Sequence, residues 1–177
     1  MAKLRNENGT LLFELNLYPD QKSDDWIKYG IVIGPNKENK ELSLTVLGRE
    51  LCKIPSLRLS GSELYFEADY EPEVLVLCSG VLEVLDKKTS SFFFEPVDQE
   101  DFQLEIRKTR RGGFSINIYS NNFAPLEGYS WPIYSYIGVK MVVKEDDVRA
   151  FIKQLKDEYI EIEGRFSVKT FFPKIKK

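Results

Sequence analysis

Four carboxylates fall within one short stretch: Glu95, Asp98, Glu100 and Asp101. Paired acids at a set separation are all that glycoside hydrolysis, or metal-assisted hydrolysis, requires of a protein. The stretch lacks the alternating oxygen ligands and central glycine of a calcium loop. Loops collect acids for solubility and turn geometry, so a solvated acidic turn between two strands is the simpler reading. A second group, Arg107, Lys108, Arg110 and Arg111, lies close to Phe114 and Tyr119. Cations beside stacking rings suit single-stranded nucleic acid, whereas a charged hairpin tip that protects a strand edge needs no ligand. The third group is aromatic: Tyr129, Trp131, Tyr134 and Tyr136 crowd a proline-bearing segment. Tyrosine and tryptophan anchor many protein interfaces, and they also close the ends of cores.

What is missing narrows the chemistry further. The chain has no histidine, which removes the commonest general base, the histidine-dependent nucleophile systems and most transition-metal sites. Neither a G-x-x-x-x-G-K-[ST] loop nor a G-x-G-x-x-G turn occurs, so nucleotides lose their usual cradle. No catalytic residue, cofactor or metal is expected. The candidates for contact with a partner are Glu95, Asp98, Glu100 and Asp101 in the acidic turn, and Tyr129, Trp131 and Tyr134 in the aromatic segment.

The elements that must position these groups follow from hydrophobic period. Leu11, Phe13, Leu15 and Leu17 alternate through a strand at about 10–18 that ends at Pro19-Asp20. Strands follow at about 26–33 and 41–47, joined by the turn signal Gly34-Pro35-Asn36. Residues 48–61 give no clear pattern, and 64–70 alternates as a strand. The period then changes. Val74, Leu75, Leu77, Cys78, Val81, Leu82, Val84 and Leu85 recur at helical spacings, which predicts a helix at about 72–87. Ser79-Gly80 is its weak point, and a turn between two buried strands is the alternative. Phe92 to Pro96 reads as a strand, as do 102–107 and 114–119, the last two joined by glycines suited to a hairpin. Another strand is expected at 133–143. A second helix at about 145–160 opens on Glu145, Asp146 and Asp147 and carries the stripe Val148, Phe151, Ile152, Leu155 and Tyr159. A short strand is expected at 164–172, and the tail at 173–177 should fray. Together these give a single α+β domain over 1–177: a mostly antiparallel sheet of about seven or more strands, with two helices on one face.

Bulk properties agree with a globular chain. At 177 residues it is long enough to bury about 70% of its unfolded surface without staples. Hydrophobic residues make up 42% and charged residues 30%, close to the globular average. No apolar run reaches a membrane span, and the polar N-terminal stretch has no secretory h-region. A cytoplasmic location and no membrane partner are therefore expected. Cys52 and Cys78 form no C-x-x-C pair and read as small core residues. The net charge of −3 supplies no strong field for phosphate backbones, so no nucleic-acid partner is expected.

The run Phe92-Phe-Phe-Glu-Pro96 and the alternating strand Phe102 to Ile106, set between an apolar helix over 74–85 and an amphipathic helix over 148–159, resembles the WapI-type immunity proteins. The resemblance covers roughly 74–160. It implies a small cytoplasmic bacterial protein without catalytic residues, which binds and neutralises the toxic domain of a contact-dependent or polymorphic toxin. Two other readings compete with it. One is a β-rich module for carbohydrate or peptide ligands that uses the aromatic segment. The other is a histidine-free hydrolase built on paired carboxylates.

Overall fold

In the computed structural model, residues 1–19, 26–35, 41–46, 49–55, 57–65, 72–96, 102–120 and 137–171 are described. The N-terminal part begins with β1 (Ala2–Arg5), β2 (Leu11–Pro19) and β3 (Trp26–Pro35). It continues with β4 (Glu41–Val46), β5 (Arg49–Pro55) and β6 (Leu57–Tyr65). Helix α1 (Glu73–Leu85) follows, then β7 (Ser91–Phe94), β8 (Phe102–Lys108), β9 (Phe114–Ser120), β10 (Ile137–Val143) and helix α2 (Glu145–Phe171).

The strands do not form one sheet. Two four-stranded antiparallel sheets have the orders β1-β2-β3-β6 and β10-β9-β8-β7, and β4 and β5 form a separate hairpin. The expected α+β class with antiparallel pairing and two helices therefore holds, but the single sheet is corrected to separate ones. The edge strand β1 is short and its register is spent on β2. Beyond its end, the Glu7 N–H donates to the Val142 carbonyl at 2.8 Å, a hydrogen bond that ties the first sheet to β10.

Period-two alternation sends Phe13, Leu15 and Leu17, Ile27, Tyr29 and Ile31, Leu104 and Ile106, and Phe114, Ile116 and Ile118 into one core. The two helices supply the other side of that core. Helix α2 lies on β1 and β2 and also touches α1, while α1 packs on β7 and β8. Where β1 stops, the Leu17 N–H donates instead to Glu158 Oε2 of α2 at 3.3 Å. The Lys3 N–H likewise donates to Gln154 Oε1 at 3.1 Å, so α2 closes backbone groups that no strand reaches.

Helix α1 settles the alternative left open at Ser79-Gly80. Val74, Leu77, Cys78, Val81, Val84 and Leu85 are buried along one continuous helix. Glycine sits inside it because of packing: a Cβ on Gly80 would lie 2.2 to 2.4 Å from the ring of Phe92 on β7. The ring thus takes the space of a missing methyl, and this contact seats α1 against the second sheet.

Other expectations are corrected. Helix α2 runs on to Phe171, through residues where a short strand was expected. Ile162 continues the stripe of Tyr159 and is buried, and a lone glycine at Gly164 costs a helix only about 1 kcal/mol. The unclear stretch 48–61 contains β5 and most of β6; of the strand expected at 64–70, Leu64 and Tyr65 end β6 and the rest lies outside the described residues. Strand β1 had no counterpart among the expected elements. Of the strand expected at 133–143, β10 accounts for 137–143, and the rest lies outside the described residues, as does the tail at 173–177. No helix of the described residues is long and apolar enough to cross a membrane.

Candidate functional site

The outer face of the β7–β10 sheet is built by the residues that alternate with its core. Leu104 and Ile106 point inward, so Gln103, Glu105 and Arg107 point away from the helices. The register then places Phe93, Glu105, Asn117 and Lys140 in one row across the four strands. A neighbouring row holds Ser91, Arg107, Ser115 and Val142, and Gln103 stands opposite Tyr119 on the other side.

Glu105 is the centre of this array. Its Oε2 accepts from Asn117 Nδ2 at 2.9 Å, and its Oε1 accepts from Arg107 Nε at 2.6 Å. Arg107 also forms an ion pair with the same carboxylate. Burial pushes the Glu105 pKa up, but the hydrogen bonds from Arg107 and Asn117, with the charges of Arg107 and Lys140, outweigh it and hold the carboxyl below its usual value. Around this fixed centre, Phe93 is 51% exposed and Val142 43% exposed. The face therefore combines a pre-ordered polar network with two apolar side chains open to contact.

Glu95 joins the border of the same face. It is half-buried, and its Oε1 accepts from Gln103 Nε2 at 2.6 Å. This is the one expected contact residue within the described structure. Asp98, Glu100 and Asp101 of the acidic turn, and Tyr129, Trp131 and Tyr134 of the aromatic segment, lie outside the described residues.

The basic group is placed more fully. Thr109 N–H donates to the Gly113 carbonyl at 2.8 Å and Gly112 N–H to the Thr109 carbonyl at 3.1 Å, which closes the expected turn. Gly112 has φ 88°, a left-handed conformation that suits glycine. Arg110 and Arg111 stand exposed at the tip. Phe114, considered above as a stacking ring, is instead buried in the core, while Tyr119 is half-buried on the outer face.

Two further groups are structural. Arg149 of α2 reaches Asp86 at the end of α1 at 2.8 Å and Glu145 on its own helix at 2.8 Å. Its hydrogen bond lowers the Asp86 pKa. Cys78 is buried, and burial pushes its thiol up to about 12 despite Lys156, so it is the core residue its sequence context suggests. Among the described residues no cluster of histidine, cysteine, aspartate or glutamate is arranged to hold a metal.

No family model matches the chain, and no curated protein or solved structure matches it either.

Proposed function

We propose that this protein acts by binding another protein through the outer face of its β7–β10 sheet, as a non-enzymatic inhibitor that neutralises a bacterial toxin domain. The observation that carries the binding role is the Glu105 network. Its side chains are already ordered by hydrogen bonds on paired strands, so docking has little rotamer freedom left to remove. Exposed Phe93 and Val142 supply apolar area beside it, an arrangement of apolar anchors and satisfied polar groups that protein interfaces share. The resemblance to WapI-type immunity proteins supports the choice of a toxin as partner.

The test is co-expression in bacteria with the toxin domain encoded beside this gene. Protection should be lost when Phe93→Arg and Asn117→Arg are combined, in a variant that keeps its circular dichroism and thermal transition. Growth arrest that the parent protein cannot relieve would remove the toxin reading. Protection that survives the double substitution would remove this face from it.

A further inference from the structure

We infer that the end of the molecule where α1 leads into β7 and β8 turns into β9 is an electropositive docking pole for an acidic surface on a protein partner. This rests on the protein-binding reading and adds a second contact region with a stated chemistry.

Backbone hydrogen bonds bring the two connections together. The Lys108 N–H donates to the Ser90 carbonyl at 3.1 Å, which sets the β8–β9 turn beside the α1–β7 turn. Lys88 is only two residues from Ser90, so their Cα atoms are within about 7.6 Å. Lys87, Lys88, Lys108, Arg110 and Arg111 are all exposed at this end. Among the described residues, none of the five is in an ion pair. Of the adjacent acids, Asp86 and Glu105 are engaged by Arg149 and Arg107, with the charge of Lys88 also acting on Asp86, while Glu83 is exposed in the last turn of α1. Glu7 flanks the turn, with its Oε1 3.7 Å from where a Cβ on Gly113 would be.

Three observations separate this pole from an ordinary solvated tip. First, β8 and β9 are the inner strands of their sheet, so their turn guards no sheet edge. Second, Lys87 has φ 61°, the one left-handed non-glycine residue among those described. It ends α1 as the Lys87 N–H donates to the Val84 carbonyl at 3.2 Å and the Lys88 N–H to the Glu83 carbonyl at 2.9 Å. Glycine is the favoured residue at this position of a helix end, so the chain keeps a cation where backbone strain argues against any side chain. The helix dipole favours a lysine near the last carbonyls, but it does not account for the three cations of the other turn.

Third, the charge is local. The chain as a whole stands at −3, so with five cations at the pole the remainder must be strongly acidic. A chain of net negative charge offers no broad positive field for a long polyanion, whereas an acidic patch of limited extent fits the pole. Complementary charge of this kind raises the association rate and orients the partner.

The probes are a poly-L-glutamate peptide no longer than the pole and a single-stranded DNA oligonucleotide of equal charge, each titrated into the full-length protein by fluorescence anisotropy. Poly-L-glutamate should bind at low salt and weaken by about tenfold or more at physiological ionic strength. Combined Lys88→Glu, Arg110→Glu and Arg111→Glu should weaken it by about tenfold, with the thermal transition retained. Lys87→Gly should raise the Tm and weaken binding together, a pairing that a purely structural lysine would not produce. The pole is overturned if poly-L-glutamate does not bind at low salt, if the triple variant binds as the parent does, or if the oligonucleotide binds more tightly than poly-L-glutamate. These results are independent of toxin protection: failed protection with intact poly-L-glutamate binding overturns the toxin reading and leaves the pole in place.

Discussion

The two faces of the β7–β10 sheet are made by the same strands and follow opposite rules. Inward, Leu104, Ile106, Ile116 and Ile118 are almost wholly buried, and even one absent methyl, at Gly80, is filled by a neighbouring ring. Outward, Glu105, Asn117 and Arg107 are joined by directional hydrogen bonds while Phe93 and Val142 remain open. The inner face is specified by volume, and the outer one by hydrogen-bond geometry. Substitutions should therefore divide cleanly, with stability lost inside and recognition lost outside.

The strongest challenge to that division is Ile106→Ala. Removing a fully buried isoleucine side chain should cost about 2–5 kcal/mol in urea unfolding, against about 0.5 kcal/mol or less for Phe93→Ala on the other face. Equal losses would show that the outer face contributes as much to stability as the core. Next in size is Gly80→Ala. Alanine gains about 1 kcal/mol of helix propensity, but forcing its methyl against the Phe92 ring should cost about 1–3 kcal/mol. The substitution should destabilise the parent and stabilise a Phe92→Ala background, and a double-mutant cycle reads the difference. The same sign in both backgrounds would disprove the ring contact.

The pH dependence gives two smaller effects, one from surface carboxylates and one from the core. Glu105 and Asp86 have folded pKa values below their unfolded ones. Their contribution is present above the unfolded carboxylate range, near pH 4, and is lost as pH falls through the folded values. Glu105→Gln should flatten the acid limb of the stability profile, and an unchanged limb would exclude Glu105 as its source. In the core, Cys78 and Tyr159 are raised to about 12, in both cases chiefly by burial. Their contribution is complete below the unfolded thiol and phenol values and declines as pH rises towards 12. At neutral pH the Cys78 thiol should resist labelling by a disulfide reagent until denaturant unfolds the chain, and prompt labelling of the folded protein at this position would contradict its burial.

The sequence made the inner face legible and left the outer one largely hidden. Alternation identified Leu104, Ile106, Ile116 and Ile118 directly, and the acids before Val148 marked where α2 begins. It could not pair Glu105 with Asn117, because that contact depends on the register set by the turn from Thr109 to Gly113. The polar residues at every second position were the available signal, and cross-strand partners became visible only with the pairing. Gly80 looked like a helix fault because its reason is a ring on another element. The left-handed Lys87 had no signal at all, since helix ends of this geometry usually announce themselves with glycine. Strand β1 was too short to show a period, and Gly164 stood at the start of an expected strand where α2 in fact continues to Phe171. Of the expected contact residues, only Glu95 can be related to the outer face.

The way α2 covers the first sheet also sets a schedule. Leu17 and Glu158 are 141 positions apart, and Lys3 and Gln154 are 151 apart. A ribosome adding about 5–20 residues per second would expose β1 and β2 on the order of ten seconds before their covering helix is made. During that interval Phe13, Leu15 and Leu17 lack the helix that covers their strands in the folded chain. Among the described elements, the helix made last is thus the one that completes the first sheet.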